Sequence, residues 1–512
     1  MSATANRVIK NTGYLYARMG ITMFISLYTT RLILDSLGVN DFGIYNIVGS
    51  AIALLGFINA AMSKATQRFM SYVKGEGNLE KQKDIFNTSI ILHLAISIIV
   101  GIGLLLLSFF LFKGILNIPI ERIDAAKIIY CSLIISVIFT IINVPFSAVL
   151  NAHENMRFYA IIGIFESLLK LLVAIVCVYT SADKLIIYGI LMSLIPIINT
   201  IIMKVYCSKK YEECIINPFK YCKKTTFTSM TTFAGWNFLP SISSVLTQYG
   251  FGFVLNYFYG VALNAAQGIA NQLSGQLMAF SNNMLKAIGP IIDKEEGSGN
   301  RQSMLNIVFS GSKFSFFILG CFAIPIMLQM PFILNIWLKD VPKWAICFAN
   351  LQLLRSLTEQ LTITVNSAIY AQGNISSISK IKTWLNILPL LLTSIAFYFE
   401  LQPYWMYISW IICGGVIGGC ITLYYAVKQC DLNIIKFLTE VVKPTLLTVF
   451  LSVIIGYIPM FWGNNIYSSC ISMIIAFLAF LIFAWTIGCN KSEKEMFKSI
   501  LIKIRQKINY NK

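Results

Sequence analysis

Long apolar runs, separated by short polar segments, fill most of the chain. A membrane-spanning helix needs about 20 apolar residues, and windows of that length predict fourteen spans. They lie near residues 13–35, 42–62, 85–112, 125–150, 158–180, 185–206, 230–256, 262–285, 305–330, 345–369, 378–399, 404–427, 444–462 and 466–488. The pattern therefore predicts an all-α integral membrane protein with about fourteen transmembrane helices.

Composition agrees with this interpretation. Of the 512 residues, 57% are hydrophobic and 12% are charged, and the mean hydropathy is +0.72, whereas soluble domains carry roughly 25% charged residues. The two histidines, His93 and His153, are far apart, and the 12 cysteines include no pair with C-x-x-C spacing near a histidine. We therefore expect no metal site and no cofactor.

Lysine and arginine orient the spans, because cytoplasmic loops are enriched in both. With the N-terminus inside, 29 of the 40 lie on the cytoplasmic side and 6 outside. The other five, Arg18, Arg31, Lys170, Lys313 and Arg355, fall within spans. We expect a multi-pass protein of the cell inner membrane with both termini in the cytoplasm. The net charge of +18 then faces anionic membrane lipids, and no nucleic-acid partner is expected.

Similar residues recur at a near-constant offset, which indicates an internal repeat. Gly38–Val39, Met62 and Lys64 recur 222 residues later as Gly260–Val261, Met284 and Lys286, and Ser147–Asn155 recurs 219 to 220 residues later as Ser367–Asn374. Six spans separate the copies, so both have the same orientation. This predicts two parallel six-helix lobes around a central cavity, plus two extra C-terminal helices.

The predicted organisation has five parts. They are an N-lobe at 1–206, a basic cytoplasmic linker at 207–229, a C-lobe at 230–428, spans 13 and 14 at 429–490, and a basic cytoplasmic tail at 491–512.

Polar side chains form stripes at helical spacing in several spans. Amides and hydroxyls suit a hydroxyl-rich solute such as a sugar, and they also suit hydrogen bonds between packed helices; the two interpretations remain open. The candidate sugar-cavity residues are Asn237, Gln248, Gln267, Asn271, Gln272, Gln276, Gln352 and Asn366.

Charges inside the spans need partners or a function. Arg355 and Glu359 are spaced i, i+4, as are Glu166 and Lys170, so each pair is either structural or functional. Glu359 and Glu166 are the candidates for ion coupling, and Arg355 and Lys170 are candidate phosphate ligands. Lys313 lies two turns into its span and is expected to reach the cytoplasmic surface.

The first span carries two arginines. Arg31 can pair with Asp35 and extend outward, and Arg18 can reach the cytoplasmic interface. Because Arg18 shares a stripe with Thr22 and Thr29, we expect it to face the cavity instead. A buried guanidinium without a carboxylate on its own helix is a good phosphate ligand. Arg18 and Arg31 are therefore both candidate diphosphate-binding residues.

Four stretches carry a family resemblance. "YTTRLILDSLGVNDFGIYNIVGS" (28–50), "AMSKATQRF" (61–69), "VPFSAVLNAHENMRFYAI" (144–161) and "ILNIWLKDVPKWA" (333–345) resemble the lipid-linked oligosaccharide flippases of bacterial polysaccharide synthesis. These belong to the multidrug/oligosaccharidyl-lipid/polysaccharide (MOP) exporter superfamily.

The resemblance implies a flippase that moves an undecaprenyl-diphosphate-linked oligosaccharide from the cytoplasmic to the outer leaflet by alternating access. Cavity arginines occur in the first helix of the related lipid II flippases, and Arg18 matches best. Membrane lipids, H⁺ or Na⁺, and other polysaccharide assembly proteins are further expected partners.

The sequence leaves two other functions as alternatives. A cation-coupled multidrug extruder of the same superfamily would need an unpaired carboxylate in its cavity, which the first span lacks except at its outer end. A membrane polysaccharide polymerase or ligase would need a large catalytic outer loop. The longest outer connections, 113–124 and 331–344, are short and lack a carboxylate–histidine cluster, so we expect no enzyme.

Overall fold

The computed structural model describes residues 2–53, 56–112, 119–259, 261–338, 341–463, 465–491 and 493–495. All regular secondary structure in these ranges is helical. The α-helices are α1 (Ser2–Ala53), α2 (Gly56–Glu76), α3 (Leu79–Phe110), α4 (Ile123–Ile142), α5 (Val144–Ala152), α6 (Met156–Tyr179), α7 (Lys184–Lys210), α8 (Pro218–Tyr221), α9 (Lys224–Tyr259), α10 (Val261–Gly297), α11 (Arg301–Leu328), α12 (Met330–Trp337), α13 (Ala345–Gln360), α14 (Ile363–Gln372), α15 (Ser376–Tyr398), α16 (Trp405–Trp410), α17 (Gly418–Cys430), α18 (Ile434–Phe437), α19 (Lys443–Tyr457) and α20 (Ile466–Phe483).

Short segments of other helical geometry complete several spans. The 3₁₀ segments are Ile120–Arg122 and Ile458–Trp462, and the π-helical segments are Ile411–Ile417, Leu438–Val442 and Ala484–Gly488. In the described ranges, ten helical segments are long and apolar enough to cross a membrane. The prediction of an all-α membrane protein is confirmed.

Within the described residues, each of the fourteen predicted spans lies on one helix or on consecutive helical segments. Four of them, 13–35, 42–62, 262–285 and 345–369, fall outside the ten strongly apolar segments. The span at 262–285 lies in α10, whose many amides lower its hydropathy, and the span at 345–369 lies in α13 and α14 and carries the Arg355–Glu359 pair. The low hydropathy of these last two spans comes from polar side chains, whose contacts are described below.

The first predicted span and the start of the second lie in α1, which is broken at Gly38. This residue has φ 74° and ψ 170°, which are not helical values, and glycine adopts positive φ at little cost. The equivalent position of the sequence repeat, Gly260, lies outside the described residues.

A second break supports the internal repeat. The span that starts in α4 is interrupted at Asn143 before α5, and the span that starts in α13 is interrupted at Leu361 and Thr362 before α14. Thr362 follows Asn143 by 219 residues, which is the offset between the two matching sequence stretches. The same local distortion thus recurs at the same place in both copies.

The described chain forms two compact units, one of Asn11–Phe238 and one of Leu239–Lys512 with Met1–Lys10. Each has its own apolar core. In the first unit Phe86, Phe146 and Val149 are fully or almost fully buried, and in the second Phe348 and Phe480 are fully buried.

Part of the predicted linker at 207–229 is held against α3. The carboxylate of Asp84 accepts hydrogen bonds from the Lys223 backbone N–H (3.0 Å) and the Thr226 hydroxyl (2.6 Å). One helical turn away, the Asn87 side chain accepts from the Asn217 N–H (2.8 Å) and donates to the Ile215 carbonyl (2.9 Å). These bonds fix the path of the chain into α9.

Candidate functional site

Arg18 of α1 packs on α6. Its guanidinium carbon lies 4.8 Å from the ring centroid of Tyr159, a cation–π contact. A Cβ built on Gly163 would overlap the guanidinium, so only glycine leaves room for it. Among the described residues no carboxylate forms an ion pair with Arg18, and its side chain is half-buried.

The other residues of the first span have different roles. Thr22 and Thr29 donate hydrogen bonds to backbone carbonyls of their own helix, those of Met19 (3.2 Å) and Ile25 (2.7 Å). Hydroxyls used in this way are local and carry no information about a ligand. The Arg31 side chain lies outside the described residues, so its pairing with Asp35 stays a prediction.

Lys170 and Glu166 form the ion pair that their spacing predicts. Lys170 Nζ lies 2.6 Å from Glu166 Oε1, and Asn199 of α7 donates to the second carboxylate oxygen at 3.1 Å. Tyr159, Gly163, Glu166 and Lys170 follow one another at steps of four, three and four along α6, which places them on one face. Arg18 is therefore added, from α1, to a polar stripe of α6.

Arg355 and Glu359 also pair, with 2.6 Å between Nη1 and Oε1. The guanidinium donates through Nε to Gln352 Oε1 (3.1 Å), and its carbon lies 4.0 Å from the Trp410 ring centroid. The Arg355 side chain is 15% exposed and that of Glu359 is 33% exposed. Arg355 thus has both an ion pair and an aromatic contact, whereas Arg18 has, among the described residues, only the aromatic contact.

Glycines let the polar part of α13 approach the π-helical segment Ile411–Ile417. A Cβ on Gly415 would lie 2.7 Å from the Thr358 hydroxyl oxygen, and one on Gly414 would lie 3.9 Å from Glu359 Oε1. A Cβ at position 415 would force Thr358 or the segment to shift, whereas one at position 414 would make only ordinary contacts. π-Helical turns are rare and often occur at functional positions.

One face of α10 exposes amides. Gln272 and Gln276 are exposed, as are Gly268 and Gly275, whereas Gln267 is buried and Asn271 is half-buried. The opposite face packs on α13, where the buried hydroxyls of Ser274 and Ser356 are 2.9 Å apart. Because exposed amides are costly against lipid tails, this face is suited to water or a polar ligand.

The remaining candidates have mixed surroundings. Asn237 is buried and donates to the Phe233 carbonyl of its own helix at 3.1 Å, and Gln248 is exposed. The Asn366 side-chain oxygen accepts from Lys382 Nζ at 2.5 Å. Asn237 and Asn366 therefore have hydrogen-bond partners within the protein, and Gln248 is the most exposed of the three.

Lys313 corrects one expectation. It does not reach the surface: its side chain is 3% exposed, and Nζ lies 2.6 Å from Oε2 of the equally buried Glu493. Ser310 and the Asn490 backbone N–H also donate to the Glu493 carboxylate. The prediction was wrong because the partner comes from beyond the last span, 180 residues away, where no helical spacing could reveal it.

The sequence did not predict a further ionic cluster, formed by Arg122, Asp41 and Asp183. Arg122 donates to Asp183 at 2.7 Å through Nη1, and to Asp41 at 2.9 Å through Nε. Burial opposes ionisation of Asp183, but the hydrogen bonds from Arg122 and from the Leu185 and Ile186 N–H groups outweigh it and hold the pKa of this carboxyl below its usual value. The cluster ties together α1, the 3₁₀ segment that precedes α4, and the start of α7.

Residues 17–176 match the MatE family model. Three solved structures each cover 84% of this chain and 96% of their own. They are a MATE protein in the bent conformation (TM-score 0.71, 12% identity), the outward-facing conformation of a multidrug resistance MATE family transporter of the MOP superfamily (0.69, 13%), and a MOP superfamily transporter from Pyrococcus furiosus Vc1 (DSM3638) whose binding pocket has reverse polarity, suggesting a different function (0.69, 14%). The chain has the MATE transporter fold.

No curated protein matches the chain significantly. MATE family members are transporters and not enzymes; for this chain, of which residues 17–176 match the family model, transport stays a prediction. At these identities the MATE structures establish the fold alone, and the transported substrate stays a prediction.

Proposed function

We propose that this MATE-fold protein is a flippase for an undecaprenyl-diphosphate-linked oligosaccharide, which it moves from the cytoplasmic to the outer leaflet by alternating access. The observation that carries the proposal is Arg18, a guanidinium within a membrane span that has no ion pair among the described residues. Lys170, Lys313 and Arg355, by contrast, are each neutralised by a glutamate. An ionisable residue within a span is by default a candidate for function.

The packing of Arg18 suits a phosphate ligand. The Arg18 guanidinium carbon lies 4.8 Å from the centroid of the Tyr159 ring, and a cation–π contact does not need the N–H donors as hydrogen-bond donors. The N–H donors lie in the plane, where they can bind two phosphate oxygens side by side. Lys170 lies on the same α6 stripe and would add a second positive charge once its hold on Glu166 loosens.

Amides support the sugar part of the proposal. The exposed face of α10, with Gln272 and Gln276, offers donors and acceptors without net charge. Such groups match the hydroxyls of an oligosaccharide, and they would be a poor surface for lipid tails.

A multidrug extruder is the alternative with the same fold. A cationic drug needs a carboxylate that it can approach, and the two mid-span glutamates, Glu166 and Glu359, are both in ion pairs. The fold itself does not decide, because a multidrug transporter and a transporter with reversed pocket polarity both have it. The ion pairs and Arg18 therefore favour an anionic substrate. Glu359 or Glu166 would carry the coupling H⁺ or Na⁺.

The test is flipping of a fluorescent undecaprenyl-diphosphate oligosaccharide in proteoliposomes, read by chemical quenching of the outer leaflet. We expect Arg18→Ala to reduce the initial rate by roughly 10- to 100-fold, the range for loss of a hydrogen bond to a charged group. Arg18→Lys should keep part of the rate, since it keeps the charge and loses the bidentate geometry. The matched control is Arg157→Ala, which removes an exposed arginine at the start of α6.

Two results would overturn the proposal. One is an unchanged rate for Arg18→Ala at equal amounts of folded protein. The other is no flipping by the wild type in the same vesicles in which it exports a cationic dye against a proton or sodium gradient, which would establish the multidrug alternative.

A further inference from the structure

A groove of about 550 Å³ lies between α6 and the last turns of α7. Its apolar floor includes Ile201 and Val205, which are 56% and 48% exposed. Phe158 of α6 forms part of the wall, and Lys209 and Lys210 lie at one end. The groove is therefore amphipathic: its surface is apolar along most of its length and carries two positive charges at one end.

The aromatic wall is held in place by specific contacts. Phe158 and Tyr206 stack with ring centroids 3.5 Å apart and planes 8° from parallel. The Tyr206 hydroxyl accepts hydrogen bonds from Asn155 Nδ2 (2.9 Å) and from Lys210 Nζ (2.7 Å). A wall whose side chains are already fixed loses little conformational entropy when a ligand binds.

The position of the groove along α7 matches the position of a phospholipid in the bilayer. α7 has 27 residues, or about 40 Å at 1.5 Å per residue, which exceeds the hydrocarbon thickness of about 30 Å. Lys209 and Lys210 occupy its last turn and so belong at the level of the headgroups, whereas Ile201 and Val205 lie one to two turns deeper. The groove thus runs from the headgroup layer into the hydrocarbon.

We propose that this groove binds one anionic phospholipid of the surrounding bilayer. Its phosphate lies between Lys209 and Lys210, and the upper part of one acyl chain lies along Ile201 and Val205 against the Phe158–Tyr206 wall. Two lysines complement a negative headgroup, and basic pockets between membrane helices on the cytoplasmic side are suited to anionic lipid headgroups. The site is separate from Arg18 and does not depend on the substrate of the transporter.

The test is native mass spectrometry of the full chain, released from detergent after incubation with phosphatidylglycerol or with phosphatidylcholine of the same acyl chains. We expect the wild type to retain one phosphatidylglycerol and to prefer it over phosphatidylcholine. The double variant Lys209→Gln/Lys210→Gln should bind phosphatidylglycerol roughly 25-fold more weakly, since each of the two lysines near the headgroup contributes a factor of about five. The matched control is Lys223→Gln/Lys224→Gln, which removes the same charge from exposed positions of the same segment and should keep the bound lipid.

A second variant tests the apolar part without a change of charge. Val205→Trp fills the floor of the groove and should lower retention of phosphatidylglycerol, whereas added inorganic phosphate at millimolar concentration should not displace the lipid. Equal retention by both lysine double variants would overturn the proposal and leave Lys209 and Lys210 as general surface charges. Displacement by inorganic phosphate, or normal retention by Val205→Trp, would show that no acyl chain occupies the groove.

Discussion

The guanidinium of Arg18 occupies the space that a Cβ would need on Gly163 of α6. The atoms that would have to move are the far end of a flexible side chain, so Gly163→Ala should displace the guanidinium at little cost in stability. We expect Gly163→Ala to lower the flipping rate roughly tenfold or more, nearly as much as Arg18→Ala does. The measurement is the initial rate in proteoliposomes, with the amount of folded protein checked by size-exclusion chromatography.

The control for this prediction is Gly103→Ala in α3, where a Cβ would meet no atom within 4 Å. It should leave the flipping rate unchanged. A Gly163→Ala protein that flips at the wild-type rate would mean that the position of the Arg18 guanidinium does not matter for transport.

Glu359 should matter more for ion coupling than Glu166. Glu359 lies on the more polar stripe and holds a guanidinium that is 15% exposed, whereas Glu166 pairs with a lysine that is 42% exposed. We expect Glu359→Gln to lower the flipping rate by roughly tenfold and Glu166→Gln to lower it less. The assay compares the two variants at imposed proton and sodium gradients.

A double variant separates coupling from charge balance. If Glu359 only neutralises Arg355, removing both charges in Arg355→Gln/Glu359→Gln should restore full transport. We expect no restoration, because a coupling carboxylate is still missing. Full recovery would exclude Glu359 as the coupling acid.

The buried pair of Lys313 and Glu493 makes a prediction about stability. Glu493→Gln leaves an ammonium that is 3% exposed without its counter-charge, which should lower the free energy of unfolding by about 3–5 kcal/mol. Lys313→Met/Glu493→Gln should recover much of this loss, because neither charge remains. Thermal unfolding in detergent measures both.

The exposed pair of Lys127 and Asp124, with side chains 53% and 91% exposed, supplies the control. Lys127→Met should change the free energy of unfolding by less than about 1 kcal/mol. An unfolding temperature for Glu493→Gln equal to that of Lys127→Met would contradict the buried ion pair.

Asp183 predicts a pH dependence in the acidic range. Its folded pKa is lowered by Arg122 and by backbone N–H groups, so its contribution to stability is complete above the unfolded pKa of about 3.9 and is lost as the pH falls through the lower folded pKa. Asp183→Asn keeps a side chain suited to capping α7 and removes the charge. Unfolding temperatures from roughly pH 7 to 3 should show a difference between wild type and variant that shrinks below about pH 4. A constant difference across this range would contradict the assignment.

The helices were the predictable part of the structure. Span positions follow from apolar length, and the pairs Glu166–Lys170 and Arg355–Glu359 follow from helical spacing, so both could be derived from local sequence. The recurring break at Asn143 and Thr362 was only implied, through the repeat of nearby residues.

Contacts between distant segments could not be predicted. Gly163 looks like any glycine in an apolar run until Arg18 of another helix is placed over it. Arg122 gains its two carboxylates from positions 81 and 61 residues away, and a single sequence carries no signal for such pairs. The physical reason is that helical periodicity specifies a face and not the residue that will lie against it.

The pairing of Lys313 with Glu493 also sets an order of events during synthesis. Residue 493 emerges from the ribosome 180 residues after residue 313, which at about 5–20 residues per second is a delay of roughly 10–40 s. Throughout that interval α11 holds an ammonium whose counter-ion has not yet been made. A nascent chain that stops before Glu493 therefore keeps an uncompensated charge at a position that the finished protein buries. This charge distinguishes an incomplete chain from a complete one.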